Sequence, residues 1–334
     1  MRLGLAGGGT DVSPYSDQFG GMVLNATISL YAHCSVEETS DGRVEIDALD
    51  MDRRWEGAAD PSLPVDHPLG LICQVYNRIV RDHCGGKPFS VRISTYADVP
   101  PGSGLGSSST LVVAIICALA ELKRIALGEY EIAHLAFEIE RIDLGLAGGK
   151  QDQYAATFGG FNLMEFYEND RVIINPLRLR RSTVSELEAS LILYYTGRSR
   201  ASAAIIEEQV KNVTSGSTKS IEAMHALKQQ SRGMKEALLL GDFRRFADEL
   251  RQGWTAKRAT AEQISSDVID QVMSTAMANG ALGGKVSGAG GGGFVMIVSP
   301  PERKPTIVRE LAGLGGHIFN SVFTEHGASA WRVQ

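Results

Sequence analysis

Cysteine is scarce. There are four in 334 residues (Cys34, Cys73, Cys84 and Cys117), with no Cys-x-x-Cys pair and no metal-ligand spacing. That excludes a disulfide-stapled fold and a zinc cluster, and the simplest reading is reduced, buried thiols in a cytoplasmic protein. No apolar run reaches membrane-spanning length; the longest, Leu111–Leu122, suits a core helix. A charged-then-apolar secretory leader is also missing. Positive charge is in deficit, with 33 Lys and Arg against 39 Asp and Glu and a net charge of −6. The balance argues against a partner that is nucleic acid or an anionic membrane, so any anion must be held by local groups. No repeat with a period of roughly 20–50 residues occurs, which excludes a solenoid.

Two nucleotide signatures are missing as well. Gly288-Ala-Gly-Gly-Gly-Gly293 spells G-x-G-x-x-G, but the apolar run Phe294–Ser299 that follows reads as a strand, where a dinucleotide fold requires a helix. No G-x-x-x-x-G-K-[ST] loop exists, because Lys150 is followed by Gln151. What remains is an ordinary globular composition, 43% hydrophobic and 22% charged. The length suits one large domain or two moderate ones.

Glycine is plentiful, and its placement carries the information. In Asp98-Val-Pro-Pro-Gly-Ser-Gly-Leu-Gly-Ser-Ser-Ser-Thr110, three glycines (Gly102, Gly104, Gly106) let successive N–H groups turn into one concavity. A strand over 89–95 is expected before it, and an apolar helix from about Ser109 to Ala126 after it. Ser107, Ser108 and Ser109 offer hydroxyls and a helix N-cap at the positive end of the helix dipole. A polyphosphate fits such a place; a ligand-free strand-to-helix loop is the plainer alternative.

Upstream, a short strand leads from Arg2 into Gly7-Gly-Gly-Thr-Asp11. The glycines suggest close backbone approach to a ligand, and Asp11 can accept hydrogen bonds from hydroxyls or bond its own turn. The stretch 22–36 reads as a strand pair, 44–48 as a strand, 50–68 as a polar, proline-bearing loop and 69–84 as a helix stopped by Gly85-Gly86. A helix over 128–144 carries Glu138 and Glu140 and ends at Gly145-Leu-Ala-Gly-Gly-Lys-Gln-Asp-Gln-Tyr154. Lys150 and Asp152 on that turn can form a structural ion pair, or orient a hydroxyl nucleophile and stabilise the phosphoryl group it attacks. A hairpin over 161–175 follows. The charged stretch 178–188 marks the expected domain border, giving units 1–185 and 186–334. Beyond it lie a strand over 190–195 and mostly helices to Gly280.

In chain order, Arg2-x-x-x-x-Gly-x-x-Thr-Asp11, the loop Pro101-Gly-Ser-Gly-Leu-Gly-Ser-Ser-Ser109 and Lys285-Val-Ser-Gly-Ala-Gly-Gly-Gly-Gly-Phe294 resemble the three motifs of the GHMP kinase superfamily. The match spans nearly the whole chain. Gly-Gly-Gly-Thr-Asp11 with Pro14-Tyr15, Gly20-Gly21 and Gly149-Lys-Gln-Asp-Gln-Tyr154 is most similar to the D-glycero-D-manno-heptose 7-phosphate kinases, and bacterial fucokinase-like enzymes share much of the pattern.

The resemblance implies a two-domain α+β GHMP kinase fold. Its N-terminal domain is like domain 2 of ribosomal protein S5, its C-terminal domain is ferredoxin-like, and the active site lies between them. It implies ATP and Mg²⁺ as cofactors and ATP-dependent phosphorylation of a sugar's anomeric hydroxyl, in nucleotide-activated heptose and surface polysaccharide synthesis. ATP phosphates would sit in the loop from Pro101 to Ser109 (Gly102, Ser103, Gly104, Leu105, Gly106, Ser107 and Ser108 between them), closed over by Ser287, Gly288, Gly290 and Gly291. Mg²⁺ would be held by Ser108 and Glu140, with Glu138 the alternative. Asp152 matches the catalytic Asp, which would accept or orient the proton of the attacking sugar hydroxyl, and Arg2 matches an arginine that supports the transferred phosphoryl group; Lys150 on the same turn is the further catalytic candidate. The sugar phosphate would meet Gly8, Gly9, Thr10, Asp11, Tyr15 and Gln153, with Arg200 and Lys257 facing its 7-phosphate ahead of Arg198, which is suggested only by its place after the strand 190–195. A homodimer stays open.

Overall fold

The computed structural model describes residues 1–197 and 202–333. The chain runs β1 (Arg2–Ala6), α1 (Tyr15–Phe19), β2 (Gly21–Thr27), β3 (Ala32–Glu38), β4 (Arg43–Ala48), β5 (Arg53–Ala58), α2 (Gly70–His83), β6 (Val91–Ala97) and α3 (Ser107–Lys123). It continues through α4 (Glu129–Phe137), a π-helical turn (Glu138–Asp143), α5 (Gln151–Phe158), β7 (Phe161–Phe166), β8 (Val172–Pro176), α6 (Arg181–Ser190) and β9 (Leu191–Tyr195). The second half adds α7 (Ser202–Thr214), α8 (Thr218–Leu240), α9 (Phe243–Arg258), α10 (Asp267–Ala278), β10 (Gly283–Val286), β11 (Phe294–Val298), α11 (Lys304–Ala312) and β12 (His317–Phe319).

The described residues form three four-stranded sheets, in the orders β1-β2-β7-β8, β3-β6-β4-β5 and β10-β11-β9-β12. Alternating apolar residues of β4 and β6 (Val44, Ile46, Val91, Ile93) pack on the buried stripes of α2 and α3, including Ile72, Ile79, Val112 and Ile116. Behind the third sheet, Ile192, Val295 and Ile297 meet Ile269, Val272 and Leu311. A further core joins the two halves of the chain. Leu3, Leu24 and Ile28 pack with Leu187, Leu193, Phe246, Phe294 and Met296.

Most expected elements form, with shifts at their ends: the strand before the glycine loop is Val91–Ala97, and α3 starts at Ser107. The hairpin over β7 and β8 turns through Asn169 and Asp170, both at positive φ, which polar residues tolerate best after glycine. Three expectations change. Segments β2 and β3 are both strands, but β2 pairs with β1 and β7 while β3 pairs with β6. The expected loop over 50–68 contains β5, which pairs with β4 across Arg54–Glu45 and Arg43–Glu56 contacts; its edge position leaves no apolar alternation to read. The charged stretch 178–188 contains most of α6, because Val184 and Leu187 lie three apart and face the shared core.

Candidate active site

The glycine-rich loop is fixed by backbone contacts on two sides. Arg2 N–H donates to Leu105 O at 3.1 Å, and Phe294 N–H donates to Ser103 O at 3.0 Å. A side chain at Gly104 would lie 2.5 Å from Ser287 O, and one at Gly288 would lie 2.9 Å from Gly104. Glycine at both places lets the two loops meet backbone to backbone. Gly102, Gly104, Gly106 and Ser107–Ser109 line a cleft of about 300 Å³, with Gly288 and Ala289 opposite. Pro101, Ser103 and Leu105 do not line it; Ser103 and Leu105 are fully buried. Gly290 and Gly291 sit behind the turn against Ile264, whose carbonyl takes the Gly291 N–H at 2.8 Å.

The expected serine N-cap is replaced by Gly106, in the left-handed conformation at φ 71°. The serine hydroxyls turn instead to Glu140. Ser108 Oγ donates to its Oε1 at 2.9 Å; Ser109 Oγ and Gln153 Nε2 donate to its Oε2, each at 2.6 Å. Glu140 is 1% exposed yet borders the cleft. The π-helical turn after α4 places it there, the kind of local helix irregularity that recurs at functional sites. Glu138 faces elsewhere, paired with Arg78 at 2.5 Å.

Across the cleft, Asp152 stands in the first turn of α5 with 23% of its side chain exposed. Its Oδ1 accepts from Arg2 Nε at 2.7 Å and Gln151 Nε2 at 3.1 Å, and lies 2.6 Å from Arg2 Nη2. None of these bonds uses Oδ2. Burial works to raise its pKa, but the Arg2 charge and the hydrogen bonds from Gln151 and Arg2 outweigh it and hold the carboxyl below its usual range. Arg2 is itself fixed, donating through Nη1 to Gly104 O at 2.6 Å and Ser287 Oγ at 3.3 Å. Lys150 does not join them. Its Nζ pairs with Asp170 at 2.5 Å beside Phe137, and it lines a neighbouring cavity.

Gly8, Gly9, Asp11 and Lys257 complete the cleft. Asp11 accepts from Gly9 N–H at 3.1 Å and from Gln151 N–H at 3.0 Å, which ties the first glycine turn to α5. Thr10 and Tyr15 lie away from the cleft. Thr10 Oγ1 donates to the carbonyls of Gly7 (2.8 Å) and Met22 (3.0 Å), and Tyr15 OH bonds His225 Nδ1 at 2.7 Å. Gln153 reaches the site only through Glu140. Arg198 and Arg200 lie outside the described residues.

Two cleft residues escaped the sequence reading. Gln151 supports Asp152, and its Oε1 has no hydrogen-bond partner. Lys285 donates to Gly4 O at 2.7 Å. Burial lowers the ammonium pKa of Lys257 to about 8 and, with the charges of Lys257 and Arg2 adding, that of Lys285 to about 7. The only signal for Gln151 and Lys285 was their place inside glycine-rich motifs.

Two glycine loops meeting over a helix N-terminus, opposite an ionised Asp–Arg pair, are the layout of a small-molecule kinase. Residues 70–160 match the GHMP kinases N terminal domain, and residues 234–316 match the GHMP kinases C terminal domain. The chain is 49% identical over 333 residues to the D-glycero-alpha-D-manno-heptose 7-phosphate kinase of Campylobacter jejuni, covering 100% of this chain and 97% of that one. A crystal structure of a D-glycero-D-manno-heptose 1-phosphate kinase from Bacteroides thetaiotaomicron superposes with a TM-score of 0.85 at 47% identity, covering 100% and 97% of the two chains. A putative sugar kinase from Campylobacter jejuni gives 0.81 at 46%, covering 100% and 96%. The chain belongs to the GHMP kinase family.

Proposed function

We propose that this protein transfers the γ-phosphoryl group of ATP to the anomeric hydroxyl of a heptose 7-phosphate, giving the 1,7-bisphosphate. The observation that carries the reading is the Asp152 carboxylate, which Arg2 and Gln151 hold through one oxygen while the other is left for a substrate hydroxyl. Phosphoryl transfer needs positioning and charge stabilisation more than covalent help. Asp152 accepts or orients the hydroxyl proton. The guanidinium of Arg2, locked by Gly104 and Ser287, balances charge on the moving group. Backbone N–H groups of the 101–109 loop and the N-terminus of α3 hold the ATP phosphates.

The donor set at Glu140 suits magnesium. A buried carboxylate and the Ser108 hydroxyl offer oxygen ligands only, and among the described residues no group of three or more His, Cys, Asp or Glu could hold a metal ion. Mg²⁺ takes few protein ligands and completes its shell with phosphate and water. Ser108 and Glu140 would hold the ion, which when bound neutralises phosphate charge.

Of the sugar-binding candidates, Gly8, Gly9, Asp11 and Lys257 line the cleft and would receive the sugar. The heptose assignment draws support from the full-length likeness to heptose phosphate kinases. The test is the initial rate of ADP release across heptose 7-phosphate, the same heptose without phosphate, and L-fucose. Strong preference for the first supports the reading. Equal use of the two heptoses points to a kinase for plain sugars, and no release with any sugar points to a non-catalytic sensor.

A further inference from the structure

Lys285 has no role in the transfer scheme above, although it lines the cleft and is only 7% exposed. On β10 it stands opposite Met296 of β11, whose side chain belongs to the core shared by the two halves. Its Nζ donates to Gly4 O at 2.7 Å and Leu5 O at 3.4 Å. Those carbonyls lie at a break in register: β1 pairs Gly4 with Asn25 and then Ala6 with Leu24, leaving Leu5 as an extra residue. A bulge of this kind disrupts the ladder and re-aims the strand around it. Lys285 supplies the donor there, from the other half of the chain.

The residues on either side give the contact its meaning. Arg2 lies two positions before Gly4, and its N–H is pinned to Leu105 O. Ser287, two positions after Lys285, accepts from Arg2 Nη1 and abuts Gly104. Among the described residues no carboxylate forms an ion pair with Lys285. Burying an ammonium against carbonyls alone is costly, and a methionine would fill the same space without that cost. We propose that Lys285 is a positioning residue: it clamps the β1 bulge to the strand leading into the second glycine loop and so sets the Arg2 guanidinium against Asp152.

The kinetic consequence rests on the phosphotransfer reading; the geometric part does not, so the two are tested apart. Lys285→Met keeps the side-chain length and removes the amine. In protein labelled with ¹⁵N-arginine, the Arg2 Nε–H should exchange with water about tenfold faster in this variant, because its charge-assisted bond to Asp152 is loosened once β1 is no longer clamped. In turnover, kcat should fall about 10²-fold, the cost of a misplacement of about 1 Å. The same substitution in an Arg2→Met background should change kcat by less than about threefold, because the two residues act through one contact. Equal losses in both backgrounds overturn the proposal, as does unchanged Arg2 exchange. If the wild-type protein transfers no phosphoryl group, the functional reading fails while the exchange measurement still decides the role of Lys285. Lys285→Gln is the second variant. If neither folds by near-ultraviolet circular dichroism, Lys285 is an element of the fold and the proposal fails.

Discussion

At the scale of single residues, the site depends on which charges are left facing the cleft. Asp152 keeps one oxygen outside its bonds to Arg2 and Gln151, so Asp152→Asn removes the proton acceptor while changing little volume. Turnover should fall by about two to four orders of magnitude with ATP affinity nearly intact, the span for a positioned base. Steady-state ADP release with a nucleotide-binding titration checks both halves; turnover within a factor of a few of wild type would take Asp152 out of the mechanism. Lys257 and Lys285 make a prediction about pH. Burial holds them near 8 and 7, so at pH 8 both are partly neutral. A polyphosphate in the cleft favours their charged forms and raises both values. Nucleotide binding at pH 8 should therefore take up protons and weaken as pH rises further. Calorimetry in buffers of different ionisation enthalpy reads the uptake, and heats independent of buffer would contradict it. Asp152, Arg2 and Ser108, which line the cleft, could be singled out because each stands inside a motif, whereas Lys257, which lines it too, was suggested only by the resemblance. Lys150, also inside a motif, was misleading: two positions from Asp152 on a helix start, it points to Asp170. Lys285 acts across 281 positions of chain, and no local pattern encodes that.

At the scale of elements, the π-helical turn separates Glu140 from Glu138, the alternative metal ligand that the sequence kept open. Glu140 faces Ser108, Ser109 and Gln153, whereas Glu138 joins Arg78. Glu140→Gln should raise the Mg²⁺ needed for half-maximal activity by about tenfold or more, the loss of one ionised ligand to a hard cation. Glu138→Gln should leave that requirement unchanged. A Mg²⁺ titration of both variants decides, and the opposite pattern would move the metal to Glu138. Helix α2 was readable from the spacing of its apolar residues, and α3 from a nearly unbroken apolar run. Strand β5 was not, because an edge strand held by its ladder and surface charges shows no alternation. Helix α6 was hidden by its charged residues, with Leu187 its chief anchor in the core.

At the scale of the molecule, the core joining Leu3, Leu24 and Ile28 to Leu193, Phe246 and Met296 makes the halves interdependent. Loss of either half would expose this apolar surface. Calorimetric unfolding of the ligand-free protein should show one cooperative transition, and two well-separated transitions would contradict a shared core. The same junction carries the site, since Arg2 and Asp152 come from the first half and Lys257, Lys285 and Ser287 from the second. The most direct measurement is ³¹P nuclear magnetic resonance of the product formed from ATP, Mg²⁺ and heptose 7-phosphate. A new phosphate resonance coupled to the anomeric proton, appearing with equimolar ADP while the 7-phosphate signal persists, is the result predicted. A new phosphate at any other carbon, or none with any heptose phosphate offered, would contradict it.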